Sequence, residues 1–221
     1  MYHAIGDSHC LYSFFHFPNL IHHHLGSIRM RDVANHGTAI LDIRKMNVQP
    51  DDKCIFTFGE IDLRCDMKHA VMVGASEIDV IIDLVRRYLD VLRLNEMEGV
   101  DFWLMEVLPT AYYNVLPVTV RDHPIFPYIG SDEERVWYTS IMNRELIDQG
   151  TLAGYHILHV HHRYADDVDM MRPELAAYMH VADNGPILAE MHAAGLYGDE
   201  EAKTKIGLAA VSKWAQVKGN R

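Results

Sequence analysis

The stretch Ala4-Ile-Gly-Asp-Ser-His-Cys10 decides how the fold is interpreted. A short apolar segment, 2–7, predicts a buried strand, and Ser8 follows it directly. A serine that follows a strand and opens a helix exposes its hydroxyl, and the N–H groups of the first helical turn favour developing negative charge. An Asp–Ser helix cap produces the same pattern. The rest of the chain must decide whether Ser8 is a nucleophile or a capping residue.

Segments typical of buried strands alternate with helical patterns along the chain. Strands are predicted over 53–59, 100–107 and 155–162, and helices over 76–97, 131–150 and 200–217. This alternation predicts a mostly parallel sheet with helices on both faces, whose right-handed crossovers bring the carboxyl ends of the strands to one edge. Ligands bind at that edge in such sheets. We therefore expect one three-layer α/β/α domain over residues 1–221.

Two further segments have less defined patterns. Residues 36–43 fit either a strand or a helix, and 108–132 form a long loop rich in proline and tyrosine over the same sheet edge. Such a loop could shape a substrate pocket.

Composition excludes several classes of function. The formal net charge is −11, which disfavours binding to nucleic acid or anionic membranes. No apolar run approaches the roughly 18 residues of a membrane span, and the first residues have no basic and apolar regions of a secretory signal. Three cysteines in no metal-like spacing indicate reduced thiols. We expect a soluble cytoplasmic protein that uses no cofactor.

Four short blocks follow one another in an informative order. They are Gly6-Asp7-Ser8 after the first strand, Gly37 in "NHGTA", Gly59-Glu-Ile-Asp62 after an apolar strand, and His180 in "LAAYMHVADNG" (175–185). Their order resembles the GDSL/SGNH hydrolase superfamily over roughly residues 2–183. The first and third blocks, "GDSH" and "GEID-x-R", are similar to a divergent branch of it. The resemblance implies a flavodoxin-like sheet.

The resemblance also implies catalytic roles. Ser8 would be the nucleophile and His180 the general base that takes its proton. The backbone N–H groups of Ser8 and Gly37 would form the oxyanion hole, and Asp7 would hold the turn. His9, directly after the nucleophile, either contacts substrate at the pocket mouth or packs inside the protein.

The third block carries a cluster of charged residues. Glu60, Asp62 and Arg64 follow Gly59 and could form a charge network at the pocket, in which Arg64 binds an anion. Alternatively, a Glu60–Arg64 salt bridge only fixes the loop.

Two positions depart from the family pattern. Ile61 stands where the family has an oxyanion-binding Asn, and Ala177 stands where it has the Asp that orients the catalytic His. Loss of that acid costs roughly 10⁴-fold in turnover in a well-studied triad. A Ser–His dyad oriented by a backbone carbonyl, a substitute acid (Glu174, Asp183 or one within 164–169) and an impaired enzyme are the three alternatives.

Three functions therefore remain open. The first is a serine ester hydrolase acting on small acyl esters, including O-acetyl groups on carbohydrate. The second is a catalytically impaired glycan- or metabolite-binding protein on the same scaffold. The third is a metal-dependent hydrolase that uses His159 and His161, which share one face if 155–162 is a strand. A zinc site needs three or four ligands, and no such spacing occurs, so we expect no metal.

Overall fold

The computed structural model describes residues 1–15 and 17–197, and the helix predicted over 200–217 lies outside these residues. The main sheet has five strands: β1 (Tyr2–Gly6), β2 (Leu20–His24), β3 (Lys53–Thr57), β4 (Asp101–Met105) and β5 (His156–Leu158). Their order is β2-β1-β3-β4-β5, and every neighbouring pair is parallel. The predicted parallel sheet is confirmed.

Helices lie between the strands and after them. They are α1 (Ser8–Ser13), α2 (Met30–His36), α3 (Glu60–Cys65), α4 (Met67–Met72), α5 (Glu77–Asn95), α6 (Val118–Arg121), α7 (Asp132–Leu152), α8 (His161–Tyr164) and α9 (Gly185–Ala193). The two long predicted helices are α5 and α7. Each begins where a serine side chain, Ser76 or Ser131, accepts an N–H of its first turn.

Side chains of the strands alternate between two buried layers. Ile5, Phe56 and Leu104 point to the face covered by α2, α5 and α7. Their chain neighbours Ala4, Ile55 and Trp103 point to the opposite face, which α1 and α9 cover. Because both faces are buried, the strands read as continuous apolar runs. The predicted three-layer α/β/α arrangement is confirmed.

A second, very small sheet completes the part of the fold that concerns the site. β6 (Ala176–Ala177) and β7 (His180–Val181) form an antiparallel hairpin of two residues per strand. Tyr178 and Met179 form its turn, and Tyr178 has a φ of +59°.

Three local predictions differ from the structure. The histidine tract 22–24 belongs to edge strand β2, where the sequence predicted no strand. Residues 36–43 contain one 3₁₀ turn, Gly37–Ala39, and the first residue of a second, Ile43–Lys45, in place of a strand or an α-helix. The strand predicted over 155–162 ends at Leu158, and His161 begins α8, so His159 and His161 share no strand face. No helix within the described residues is long and apolar enough to cross a membrane.

Candidate active site

Ser8 lies at the junction between β1 and α1. Asp7 caps the helix, because its carboxylate accepts the N–H of His9 at 2.8 Å. Ser8 is the first helical residue, so its own N–H has no partner within the helix. Gly6 allows this turn to lie against β3, since a Cβ there would be 2.2 Å from the carbonyl oxygen of Thr57. The Gly-Asp-Ser block is therefore explained by the close packing of Gly6, the cap formed by Asp7 and the partly exposed helix start at Ser8.

The structure brings Ser8 to His180, 172 positions further along the chain. The Ser8 hydroxyl lies 2.8 Å from His180 Nε2, which is hydrogen-bonding distance. His180 begins β7, directly after the hairpin turn. The ring of Tyr12, one turn along α1, packs against the imidazole at a centroid distance of 4.2 Å.

No described residue gives His180 a carboxylate partner. The candidate acids are occupied elsewhere: the Asp166 carboxylate accepts the Tyr112 hydroxyl at 2.5 Å, and the Asp183 carboxylate accepts the Gly185 N–H at 2.9 Å. Glu174 is exposed. Ala177, in contrast, pairs directly with His180 across the hairpin. Directly paired residues of an antiparallel ladder share a face, so position 177 is where an orienting acid would fit.

The surroundings keep His180 neutral. Burial and the positive charges of His9, Arg64 and His24 lower its pKa to about 2. A neutral Nε2 can accept the Ser8 proton. However, the same charges oppose the imidazolium that forms when it does so.

His9 occupies the space between α1 and the hairpin. The residue is buried, with Nδ1 3.0 Å from an Asp7 carboxylate oxygen and Nε2 3.2 Å from the Met179 carbonyl oxygen. Burial lowers its pKa, but the charge and hydrogen bond of Asp7, together with the charge of Glu60, outweigh burial and raise the pKa to about 9. His9 is therefore packed and cationic at neutral pH.

Asp62 has a structural position. Its two carboxylate oxygens accept the N–H groups of Met30 and Arg31 at 2.8 and 3.0 Å, so it caps the start of α2. Burial raises its pKa to about 7. Gly59 directly precedes α3 with a φ of +115°, and a Cβ there would lie 3.0 Å from Val107.

Arg64 forms the salt bridge considered for the third block. Its Nε lies 2.9 Å from the Glu60 carboxylate, and Nη1 donates to the Phe126 carbonyl. The guanidinium also lies over the Tyr128 ring, 5.0 Å from its centroid. These contacts attach the 108–132 loop, which contains Phe126 and Tyr128, to α3. Ile61 is buried beside them and supplies no side-chain N–H donor.

Gly37 lies away from this edge of the sheet. It follows α2, whose first residues contact Asp62 at the carboxyl edge, and a seven-residue helix extends about 10 Å from there. The glycine that directly follows β2 is Gly26, with a φ of +83°, and its neighbour Leu25 donates an N–H to the Gly6 carbonyl. The fold therefore brings Gly26, and not Gly37, to the strand ends beside Ser8.

Besides Tyr12 and Gly26, two further groups near the site were not singled out from the sequence. The Met179 carbonyl accepts a hydrogen bond from His9. A backbone acceptor of this kind cannot be identified from the pattern of side chains in the sequence. Glu106 directly follows β4, a position that could have marked it, and accepts the His161 N–H at 2.9 Å. Asp7, His9, Glu60 and Glu106 line a cavity of about 10 Å³, the size of one water. Among the described residues, no group of three or more His, Cys, Asp or Glu could hold a metal ion.

Comparison with known proteins gives a match in structure only. The sequence matches no protein-family model and none of the curated proteins. Solved structures with a similar fold include a candidate acylhydrolase from Bacteroides fragilis (12% identity, 88% of this chain and 85% of the other, TM-score 0.57). A GDSL-like lipase from Bacteroides thetaiotaomicron is also similar (13% identity, 87% and 83%, TM-score 0.55). So is the OSK domain of Drosophila Oskar (10% identity, 87% and 87%, TM-score 0.51).

These similarities establish the fold class. The chain has the fold of GDSL-like lipases and acylhydrolases, as the order of its sequence blocks predicted. At such low identity the likeness extends to the fold alone, so activity must be argued from the site.

Proposed function

We propose that this protein is a serine ester hydrolase. The observation that carries the proposal is the 2.8 Å contact between the Ser8 hydroxyl and His180 Nε2. Ser8 Oγ would attack the acyl carbonyl carbon while its proton passes to His180, which then protonates the departing alcohol. Water, deprotonated by His180 in turn, would release the acid and restore Ser8.

The oxyanion would be held by backbone N–H groups. Ser8, as the first residue of α1, supplies one donor, and Gly26 is the glycine positioned to supply a second. Ile61 stands where the family pattern has an asparagine, so the side-chain donor of that asparagine is missing. Loss of one such donor costs about 10²–10³-fold in turnover, so we infer a slow hydrolase.

Small acyl esters are the substrate class that we propose. The names of the structural neighbours, a GDSL-like lipase and a candidate acylhydrolase, support ester substrates in general. The narrower proposal, O-acetyl groups on carbohydrate, rests on the sequence resemblance.

A binding protein on the same scaffold is the second candidate. It is supported by Ala177 and Ile61, and by the charges that disfavour a protonated His180. The OSK domain of Drosophila Oskar has a similar fold. In this case Ser8 and His180 would remain hydrogen-bonded, but the protein would not turn over substrate.

Hydrolysis of p-nitrophenyl acetate by matched variants tests the proposal. Ser8→Ala should reduce the rate to that without protein, because the nucleophile is gone. Ser13→Ala is the control, since Ser13 is a buried serine of the same helix whose hydroxyl has no hydrogen-bond partner among residues 1–15 and 17–197. Equal rates for Ser8→Ala and the unmodified protein would exclude the serine mechanism. An inactive unmodified protein would favour the binding function.

A further inference from the structure

The hairpin that carries His180 is held by few bonds of its own. Its strands contribute two residues each, and Tyr178 in the turn is half exposed. Val181 enters the core, which fixes the end of the hairpin beyond His180. The turn itself, next to His180, is reached from α1 by the ring of His9.

His9 connects this turn to a fixed point of the main sheet. Both of its ring nitrogens face acceptors, the Asp7 carboxylate and the Met179 carbonyl, so a doubly protonated ring makes both hydrogen bonds. Asp7 is itself fixed, because it is buried and caps α1 through the His9 N–H. This series of hydrogen bonds therefore joins Asp7 and His9, which flank Ser8, to Met179, which precedes His180.

We propose that His9 is the positioning residue for His180, holding the hairpin through the Met179 carbonyl in place of the missing acid at position 177. The inference rests on the proposed hydrolase function for its catalytic consequence, but the tether itself is a structural claim. A triad acid fixes its histidine by a bond to the second ring nitrogen. Here the residue before the histidine is fixed instead, so that Nε2 stays within reach of the Ser8 hydroxyl.

This arrangement differs from a triad in its electrostatics. The rings of His9 and His180 are 5.0 Å apart, so the residue that positions the base also carries a positive charge beside it. A triad acid would supply a negative charge at a comparable position. His9 therefore orients His180 without stabilising its protonated form.

Hydrogen–deuterium exchange of the 176–181 segment tests the tether without any enzyme assay. His9→Leu removes both ring hydrogen bonds and should speed exchange in this segment at least about tenfold. His9→Gln should exchange at nearly the unmodified rate, because its amide N–H can still donate to the Met179 carbonyl. His3→Leu is the matched control, since His3 is an equally buried histidine bonded to Asp52 at the other end of β1. It should leave exchange over 176–181 unchanged.

A double-mutant cycle tests the catalytic consequence. His9→Leu should lower kcat for p-nitrophenyl acetate about 10²-fold with little change in KM, since misplacing a reacting group by about 1 Å has such an effect. Ala177→Asp supplies a second means of orienting His180, so the loss caused by His9→Leu should shrink at least fivefold in that background.

The possible outcomes separate the tether, its role and the proposed function. Unchanged exchange over 176–181 in His9→Leu would overturn the tether. Faster exchange with the same kcat loss in both backgrounds would show a merely structural role and overturn the positioning. If no variant shows Ser8-dependent hydrolysis, the proposed function fails, while the exchange rates still decide whether His9 holds the hairpin.

Discussion

At the scale of single residues, the proposed mechanism makes the residue at position 177 important for how well His180 acts as a base. Ala177 and His180 are paired across the hairpin, so a carboxylate at 177 would lie on the same face as the imidazole. The negative charge would offset the positive charges of His9, Arg64 and His24. It would therefore raise the pKa of His180 from about 2. We expect Ala177→Asp to raise kcat for p-nitrophenyl acetate by at least about tenfold, towards the roughly 10⁴-fold known for a triad acid.

Tyr178→Asp is the control for this gain. Tyr178 is the next residue and half exposed, but it lies in the turn and is not paired with His180. It adds the same charge to the hairpin without facing the imidazole. Equal kcat values for Ala177→Asp and Tyr178→Asp would show that position 177 is not the vacant acid position.

Ser8 could be selected from the sequence because its signals are local. A strand, a glycine, a capping aspartate and a serine occur within seven residues, and each has a physical role in the structure. The identity of the group that steadies His180 could not be found in this way. His9 acts through a backbone carbonyl 170 positions away, and sequence patterns contain no information on such an acceptor.

At the scale of elements, β2 explains why the second glycine was placed at Gly37. Within the described part of the chain, edge strand β2 pairs only with β1, and three of its five residues are histidines. A half-exposed edge strand shows no continuous apolar run, so its end could not be located from the sequence. Without that end, the sequence offered no reason to prefer Gly26 over Gly37. The central strands β1, β3 and β4 were predicted because both of their faces are buried.

The position of α2 depends on the buried carboxylate of Asp62. Asp62→Ala leaves the N–H groups of Met30 and Arg31 without their acceptor, and Met30 is itself buried. An unsatisfied buried donor costs about 1–3 kcal/mol. We expect the free energy of unfolding to fall by this amount, measured in urea. Asp90→Ala, an exposed site on α5, is the control and should change it by less than about 0.5 kcal/mol. Equal values for the two variants would show that the cap contributes nothing.

At the scale of the whole molecule, the two buried layers on either side of the sheet could be predicted from the sequence. The hairpin that brings His180 to the site could not. Alternating strands and helices are enough to specify a parallel sheet and its functional edge. His180 reaches that edge on a hairpin of four paired residues outside the main sheet. So short a hairpin has no periodicity of its own, and its position is set by contacts with α1 that span most of the chain.

We expect the free energy of unfolding to depend on the charge state of His9. Several groups face this ring: Asp7 from its own segment, Glu60 from α3, His180 from β7 and Glu106 after β4. Three of them are carboxyl groups, whereas the pKa of His180 lies at about 2, so His180 stays neutral. Asp7 and Glu60 hold the proton on His9 in the folded protein, and this stabilisation disappears when the protein unfolds.

The direction of the pH dependence follows from the pKa of His9. It is about 9 in the folded protein and 6.5 as the ordinary value, so the stabilisation is complete below pH 6.5 and is lost as pH rises through 9. One proton is worth about 1.4 kcal/mol per pH unit. Urea unfolding should therefore show stability falling by about 2 kcal/mol between about pH 6.5 and 8.5. His9→Gln cannot titrate and should leave only the smaller decline due to Asp62, whose raised pKa of about 7 also lies in this range. His3→Leu, at the other end of β1, should retain the full difference. The same decline in His9→Gln would show that His9 is neutral in the folded protein.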